Sequence, residues 1–460
     1  MPVAHNLISR ARKDTVPITI VADEKLDDWC KGLAKGQREW LDGTGFTGKA
    51  GSSALLPSEK GGLDGVVFVI GAATDQWSWS ELAARLPEGS YRLAGRPSRK
   101  DANDAALGWG MAAYEFTRYR KPRQSRPDMV WPATADRADV LSMLNATAML
   151  RDLINTPAED LGPSELAEEA RKVGRMFKAK VRVTAGDALL NANYPMIHTV
   201  GRASDDAPRL IDMRWGTRGP RITLVGKGVC FDTGGLDLKP PAGMLRMKKD
   251  MGGAAHALAL AHLIMAAKLP VRLRVLIGAV ENAVSGNAYR PWDVLQTRKG
   301  ITVENANTDA EGRLVMGDCL YEACSEKPDL LMDFSTLTGA ARVAVGAGIA
   351  AVFCNNDDLY NDLAKHAESE GDPVWRLPLH KPYRALIDSK VADVSSASDG
   401  PFGGAITAAL FLQEFVDDDV PWAHFDIMAW NTSTRPGRPV GGEAQGLRAA
   451  YALIRKRFER

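Results

Sequence analysis

Short apolar runs recur along this chain, with helix-length segments between them. Residues 65–71 (GVVFVIG) form one such run, and further strand candidates fall at 91–93, 210–215, 222–225, 273–280, 330–334 and 350–353. A strand that is apolar on both faces has to be covered on both, as in a parallel sheet with helices above and below. Residues 77–86, 254–267, 405–415 and 447–458 carry apolar residues at helical spacing. The alternation predicts an α/β protein whose principal sheet is mainly parallel and helix-covered.

A chain of 460 residues exceeds one typical hydrophobic core and predicts two domains. The stretch 121–127 (KPRQSRP) is basic, proline-containing and expected to be exposed. Val140, Leu141, Leu144, Met149 and Leu153 then form a helical stripe that ends at Asn155-Thr156-Pro157. We therefore expect a small N-terminal α/β domain over 1–135, a connecting helix over 136–157 and a larger C-terminal domain over 158–460. With 45% apolar residues, 25% charged residues and a net charge of +1, the chain reads as a globular protein. That balance offers no basic field for nucleic acid. The five cysteines show no CxxC spacing, which fits reduced thiols and a cytoplasmic location better than a disulfide framework. Arg10, Arg12 and Lys13 are followed by no apolar core, so no secretory signal is read there. His256, His262 and Arg342 interrupt the longest apolar stretches before the roughly 18 to 20 residues that a membrane span needs.

Several motifs dissolve on inspection. Residues 43–50 (GTGFTGKA) nearly match a phosphate-binding loop, but Ala50 stands where a Ser or Thr would hold magnesium, and no apolar strand precedes them. A surface loop is the better reading. The run GKGVCF at 226–231 resembles a dinucleotide fingerprint with Phe231 in place of the third glycine, and it is discounted too. HExxH and GxSxG are both absent. The seven histidines are scattered, and none is assigned to a metal.

What remains is a set of charges in apolar or glycine-rich surroundings: Lys227, Asp232, Lys239, Asp250, and then Asp309, Glu311 and Arg313 within NTDAEGRL at 307–314. Charges are seldom placed so unless they pair or bind metal. In an extended or turning segment, side chains on alternate residues point to one side, so Asp309, Glu311 and Arg313 are expected to converge. Asp232 is expected at the carboxyl end of a strand, beyond a tight glycine turn. The bland readings are a helix N-cap for Asp250, a turn former for Asp232 and a solvated loop for Asp309 and Glu311. Together these leave Lys227, Lys239 and Arg313 unexplained. Two divalent ions about 3.5 to 4 Å apart, bridged by carboxylates, explain all of them. Oxygen ligands of this kind suit magnesium, manganese or zinc. Lys227 joins such a shell only as a neutral amine.

These motifs resemble the leucyl aminopeptidase (cytosol aminopeptidase) family. NTDAEGRL is unbroken at 307–314, VGKGVCFDTGG stands at 225–235, KP at 239–240 and DMGGAA at 250–255. NTP at 155–157, VGR at 200–202 and TLTGA at 336–340 also match. The first 130 or so residues carry no comparable signature.

The resemblance implies a metal-dependent aminopeptidase that removes N-terminal residues, of leucine-like or broadly apolar type, from peptides with a free amine. Asp232, Asp309 and Glu311 would hold one ion, with the Asp309 carbonyl, and Lys227, Asp232, Asp250 and Glu311 the other. The ions would be Zn2+ or Mn2+ first, with Mg2+ or Co2+ also fitting. A water between them would attack the scissile carbonyl, and the second ion would bind the substrate amine. Lys239 would stabilise the oxyanion, and Arg313 would hold a bicarbonate that shuttles the proton. Thr336 and Leu337 would position the peptide, with Met247 and Gly339 lining a roomy, apolar side-chain pocket. A homo-hexamer is also implied. Lys248-Lys249 departs from the less basic pair of many relatives, and Met428 and Trp430 fall where the pocket is completed. The competing class is a DNA-binding or regulatory protein, to which the near-neutral charge lends little support.

Overall fold

In the computed structural model, which describes residues 5–122 and 126–459, the apolar run at 65–71 forms the strand Leu63–Ile70. It belongs to a six-stranded sheet ordered Leu7–Ile8, Asp128–Val130, Ser90–Leu93, Val16–Ala22, Leu63–Ile70, Ser53–Pro57. All neighbours are parallel except the last pair. The helix Gln76–Arg85 starts where the Asp75 carboxylate accepts from the N–H groups of Trp77 and Ser78. It packs on the helix Arg99–Ala113, where Gly108 is required: a Cβ there would lie 2.2 Å from the Gln76 carbonyl oxygen. Phe68, Trp79, Trp109 and Met129 fill the core of this unit. The loop after residue 43 follows a helix, Lys35–Gly43, and leads into the strand Ser53–Pro57. A phosphate-binding loop needs the reverse order. Of the basic stretch at 121–127, residues 123–125 lie outside the described residues; Lys121 and Pro122 are exposed and Pro127 is buried.

This first unit comprises Met1–Ala148 with Ser433–Val440, and the second Met149–Thr432 with Gly441–Arg460. A single helix, Arg137–Asn155, runs through the stretch where a connecting helix is expected.

The second unit holds an eight-stranded sheet in the order Val374–Arg376, Ala350–Cys354, Trp422–Asp426, Leu330–Ser335, Arg221–Asp232, Arg272–Asn282, Arg209–Trp215, Lys180–Ala185. From Trp422–Asp426 to Arg272–Asn282 the neighbours are parallel. Antiparallel pairs flank that centre, so the sheet is mixed and mostly parallel. The helix Gly252–Ala266 is buried around nearly its whole circumference, as a sequence apolar but for His256 and His262 requires. Among the described residues no helix is long and apolar enough to cross a membrane.

Two local expectations are corrected. No turn forms at Gly226–Gly228: the strand Arg221–Asp232 continues through it to Asp232. The glycines serve close approach instead. A Cβ on Gly226 would lie 2.7 Å from the Ala254 backbone, and one on Gly228 would lie 2.6 Å from the Gly278 carbonyl. Second, NTDAEGRL is not extended. A 3₁₀ turn at Thr308–Ala310 leads directly into the helix Glu311–Cys324. Leu314, Val315, Cys319, Leu320 and Ala323 are all buried on that helix, and their spacing is the helical signal that the charged residues before them obscured.

Candidate metal centre

The three parallel strands Arg221–Asp232, Arg272–Asn282 and Leu330–Ser335 end side by side, and the charged residues gather beyond their carboxyl ends. Open α/β sheets place their sites there. Asp232 is the last residue of its strand. Its Oδ1 accepts from Gly234 N–H and from Asn282 Nδ2, each at 2.8 Å, while Oδ2 faces Lys239 Nζ at 2.8 Å. It is therefore a turn former and a partner of Lys239 together.

Lys227 projects from the middle of the same strand and is 3% exposed. Its Nζ lies 2.7 Å from Asp250 Oδ2 and 2.7 Å from Glu311 Oε1. Glycine at 312 makes the room, because a Cβ there would stand 2.6 Å from that ammonium. The side chain of Asp250 does not cap the helix behind it. It faces Lys227 and accepts from Thr336 Oγ1 at 2.7 Å, which removes the N-cap reading. Glu311 is 1% exposed, far from a solvated loop, and Asp309 is the more open carboxylate, its side chain 35% exposed. Lys239 pairs with Asp309 as well as with Asp232.

Asp232, Asp309 and Glu311 each bring a carboxylate oxygen to within 4.8 Å of the others. Asp250 joins them through the shared Lys227, so four carboxylates face two ammoniums. Excess negative charge out of water calls for a cation. Asp250 Oδ2, Asp309 Oδ1 and Glu311 Oε1 are buried and accept no well-directed hydrogen bond, although lysine nitrogens stand near them. Hard oxygen donors with acceptor capacity to spare suit divalent cations.

The electrostatics follow from burial and crowding. Burial, together with the neighbouring Asp232, pushes the Glu311 carboxyl well above the usual carboxylate range, against the pull of Lys227. The same two causes raise Asp309 to about 6, with Lys239 opposing. Burial would raise Asp250, but Lys227, Lys249 and Thr336 outweigh it and hold it at about 2. Burial likewise lowers Lys227 and Lys239, yet the surrounding carboxylates win and keep both ammoniums more strongly protonated than an ordinary lysine.

Arg313 does not converge with Asp309 and Glu311 along an extended segment. Two residues apart on a helix, Glu311 and Arg313 point about 200° apart. The Arg313 guanidinium instead donates from Nη1 to the Ser396 carbonyl, its Nε is buried without a partner, and burial lowers it to about 10. The Thr336 carbonyl accepts from Lys227 at 3.4 Å, and the Leu337 N–H donates to Asp426 at 3.0 Å, so Leu337 offers a peptide its carbonyl. Met247 opens the 3₁₀ turn Met247–Lys249, and Gly339 opens the helix Gly339–Val345. Met428 and Trp430 follow the strand Trp422–Asp426 and are half-buried.

Sequence reasoning missed several supporting residues. Asn282 donates to Asp232 and to the Thr308 carbonyl, the latter also held by the Tyr289 hydroxyl at 2.7 Å. Thr308 and Asp237 exchange hydrogen bonds that clamp the loop after Asp232 onto the start of the 3₁₀ turn. A polar Asn closing the apolar run at 273–280 was the available signal. Lys249 is also buried at 2% exposure, and burial lowers it to about 8.

Comparison with known proteins identifies relatives along the whole chain. Residues 148–451 match the cytosol aminopeptidase family catalytic domain, and residues 16–132 match the M17 aminopeptidase N-terminal domain. A probable cytosol aminopeptidase of Brucella melitensis is 37% identical over 461 residues, covering 91% of this chain and 92% of that protein. The crystal structure of a cytosol aminopeptidase from Coxiella burnetii superposes with a TM-score of 0.94 at 46% identity, covering 99% of this chain and all of that one. The bottromycin maturation enzyme BotP, solved in complex with Mn, gives a TM-score of 0.85 at 32% identity over 96% of this chain and 99% of its own. Matched along both of its units in sequence and along nearly its whole length in fold, this chain belongs to the cytosol aminopeptidase family.

Proposed function

We propose that this hydrolase removes N-terminal residues from peptides with a free amine by a two-metal mechanism. The observation that carries the reading is the buried surplus of carboxylate over ammonium at the strand ends, with acceptor oxygens left undirected. Asp232, Asp309 and Glu311 would hold one ion and Lys227, Asp232, Asp250 and Glu311 the other, with Asp232 and Glu311 bridging. Zn2+ or Mn2+ are the leading choices, Mg2+ or Co2+ the next, and the Mn complex of BotP supports manganese. When bound, the pair supplies Lewis acidity and a water whose pKa is brought toward neutrality.

The chain's own groups do the rest. Lys239, held by Asp232 and Asp309, is placed to donate to the carbonyl oxygen as charge develops on it. The buried Arg313, with Nε unpartnered, suits a small anion such as bicarbonate that accepts and returns the proton. The carbonyls of Thr336 and Leu337 would receive peptide N–H groups, and Met247 and Gly339 would line the pocket for the first side chain, where leucine-like residues fit an apolar wall. A homo-hexamer in the cytoplasm belongs to the same reading and rests on the family resemblance.

Titration of metal-stripped protein with Mn2+ or Zn2+ tests it. Two ions per chain are expected, with amino-acid amides cleaved and their N-acetyl forms resistant. One ion per chain, or efficient cleavage of blocked peptides, would overturn the mechanism.

A further inference from the structure

The strands that deliver Asp232 and Asn282 to the metal centre both begin with arginine. Arg221 opens one and Arg272 the other, and the two are direct partners in the parallel register. Arg274 follows two residues later on the same face, opposite Arg214 of the antiparallel strand Arg209–Trp215. Four guanidiniums therefore stand on one face of three neighbouring strands, at the end of the sheet away from the metal centre. The strand Arg221–Asp232 is 12 residues long. At about 3.3 Å per residue, the cluster lies roughly 35 Å from Asp232.

These residues surround one space. A cavity of about 590 Å³ is lined by Arg214, Arg221, Arg272, Arg274 and Lys327, and Glu326 is the one acidic residue on its wall among the described residues. Counter-charge is unevenly shared around it. Arg274 pairs with Asp212, Glu322 and Glu326, and Arg214 with Asp212 and Glu326. Lys327 reaches Asp419 only at 3.9 Å. Arg221 and Arg272 form no ion pair among the described residues. Arg221 Nη1 donates to the Glu326 carbonyl, and Arg272 Nε to the Gly219 carbonyl. Asp329 accepts from the main-chain N–H of Arg221, not from its guanidinium. Like charges directly opposite on neighbouring strands repel, and a shared anion between them removes that cost.

We propose that this cavity binds a small phosphorylated molecule, with a phosphate group bridging Arg221 and Arg272. A guanidinium fork matches phosphate oxygens in a bidentate way, and one phosphate has the oxygens and the charge to serve two forks. The site is separate from the carboxylate cluster, so it stands or falls independently of the reaction proposed above.

The test is calorimetric titration of metal-loaded, full-length protein with pyrophosphate, ATP and citrate. Phosphates also bind divalent ions, so the double variant Arg221→Gln/Arg272→Gln, whose metal centre is untouched, supplies the background. Wild type should bind pyrophosphate saturably, and each single variant should weaken that binding by about tenfold or more. ATP bound more tightly than pyrophosphate, with the same dependence on both arginines, would support the site and make its ligand a nucleotide. Equal affinity would support it as a site for the phosphate moiety alone. Equal binding by wild type and double variant, or citrate bound as tightly as pyrophosphate, overturns the proposal. If the variants do not fold, the wild type decides. Pyrophosphate should slow phenylglyoxal modification of Arg221 and Arg272, mapped by mass spectrometry, and leave the exposed Arg96 unaffected. Unchanged rates at Arg221 and Arg272 refute the site.

Discussion

Asp232 divides its two oxygens: one closes the turn through Gly234 and Asn282, and the other faces Lys239. Asp232→Ala therefore removes a ligand and loosens the loop that carries Lys239, whereas Glu311→Ala removes a ligand and one of the two carboxylates that face Lys227. Both are expected to abolish hydrolysis and lower bound metal, and a variant that kept two ions and near-normal turnover would refute the bridging assignment. Lys239→Ala and Arg313→Ala should keep their metal. Losing one preorganised donor to an oxyanion costs about 10² to 10³ in rate, and Lys239→Ala should fall there with kcat reduced more than KM is raised. Arg313→Ala should be milder and partly restored by added bicarbonate. Lys249 offers a stability test at the same scale. Removing one member of a buried charge cluster and leaving its opposite behind destabilises by about 3–5 kcal/mol. Because Lys249 bears on the buried Asp250, Lys249→Met should lower the urea midpoint, and an unchanged or higher midpoint would show that Asp250 does not need it.

At the scale of elements, the site depends on backbones that come unusually close. The strand Arg221–Asp232 and the helix Gly252–Ala266 touch through glycine on both sides: a Cβ on Gly253 would lie 2.7 Å from the Lys227 backbone nitrogen, as one on Gly226 would strike Ala254. Gly312 plays a different part, since only the flexible end of Lys227 occupies its space. Gly312→Ala should therefore leave the fold intact by circular dichroism yet displace Lys227, weakening the second ion's binding more than the first's in calorimetry. Equal loss of both ions would count against the ligand assignment of Lys227. Element types were largely legible in the sequence, because continuous apolar runs and a 3.6-residue period are local signals. The helix after Ala310 was not, because its first turn is occupied by the charges of the site, and period-2 reasoning was applied to residues that a 3₁₀ turn and a helix actually carry. The strands Lys180–Ala185 and Val374–Arg376 also escaped, being half-exposed edge strands without a continuous buried apolar run.

For the whole molecule, charge balance links the site to stability. Without metal, Lys227 is held protonated by its carboxylate neighbours, and Glu311 is held protonated by burial and Asp232. Filling the site needs a neutral amine and ionised carboxylates, so metal binding should release about two protons per chain, one from Lys227 and one from Glu311, seen as a buffer-dependent calorimetric enthalpy. Release of only about one would show that Lys227 stays an ammonium. Ligand at about 100 times Kd stabilises by about 2.7 kcal/mol, and amide exchange should slow in the strands ending at Asp232, Asn282 and Ser335. The sequence by itself determined the α/β class, the helix-covered parallel sheet and the roster of charged residues, because hydrophobic period and unbroken motifs are properties of neighbouring residues. Only the tertiary structure decided how those charges share their partners. Four carboxylates meet two ammoniums because three strand ends lie side by side, and Asp250 divides its oxygens between Lys227 and the Thr336 hydroxyl. The segment Ser433–Val440 joins the first unit although it is some 300 residues away in the chain. Pairings of that kind are set by geometry in space, and no local pattern along a chain encodes them.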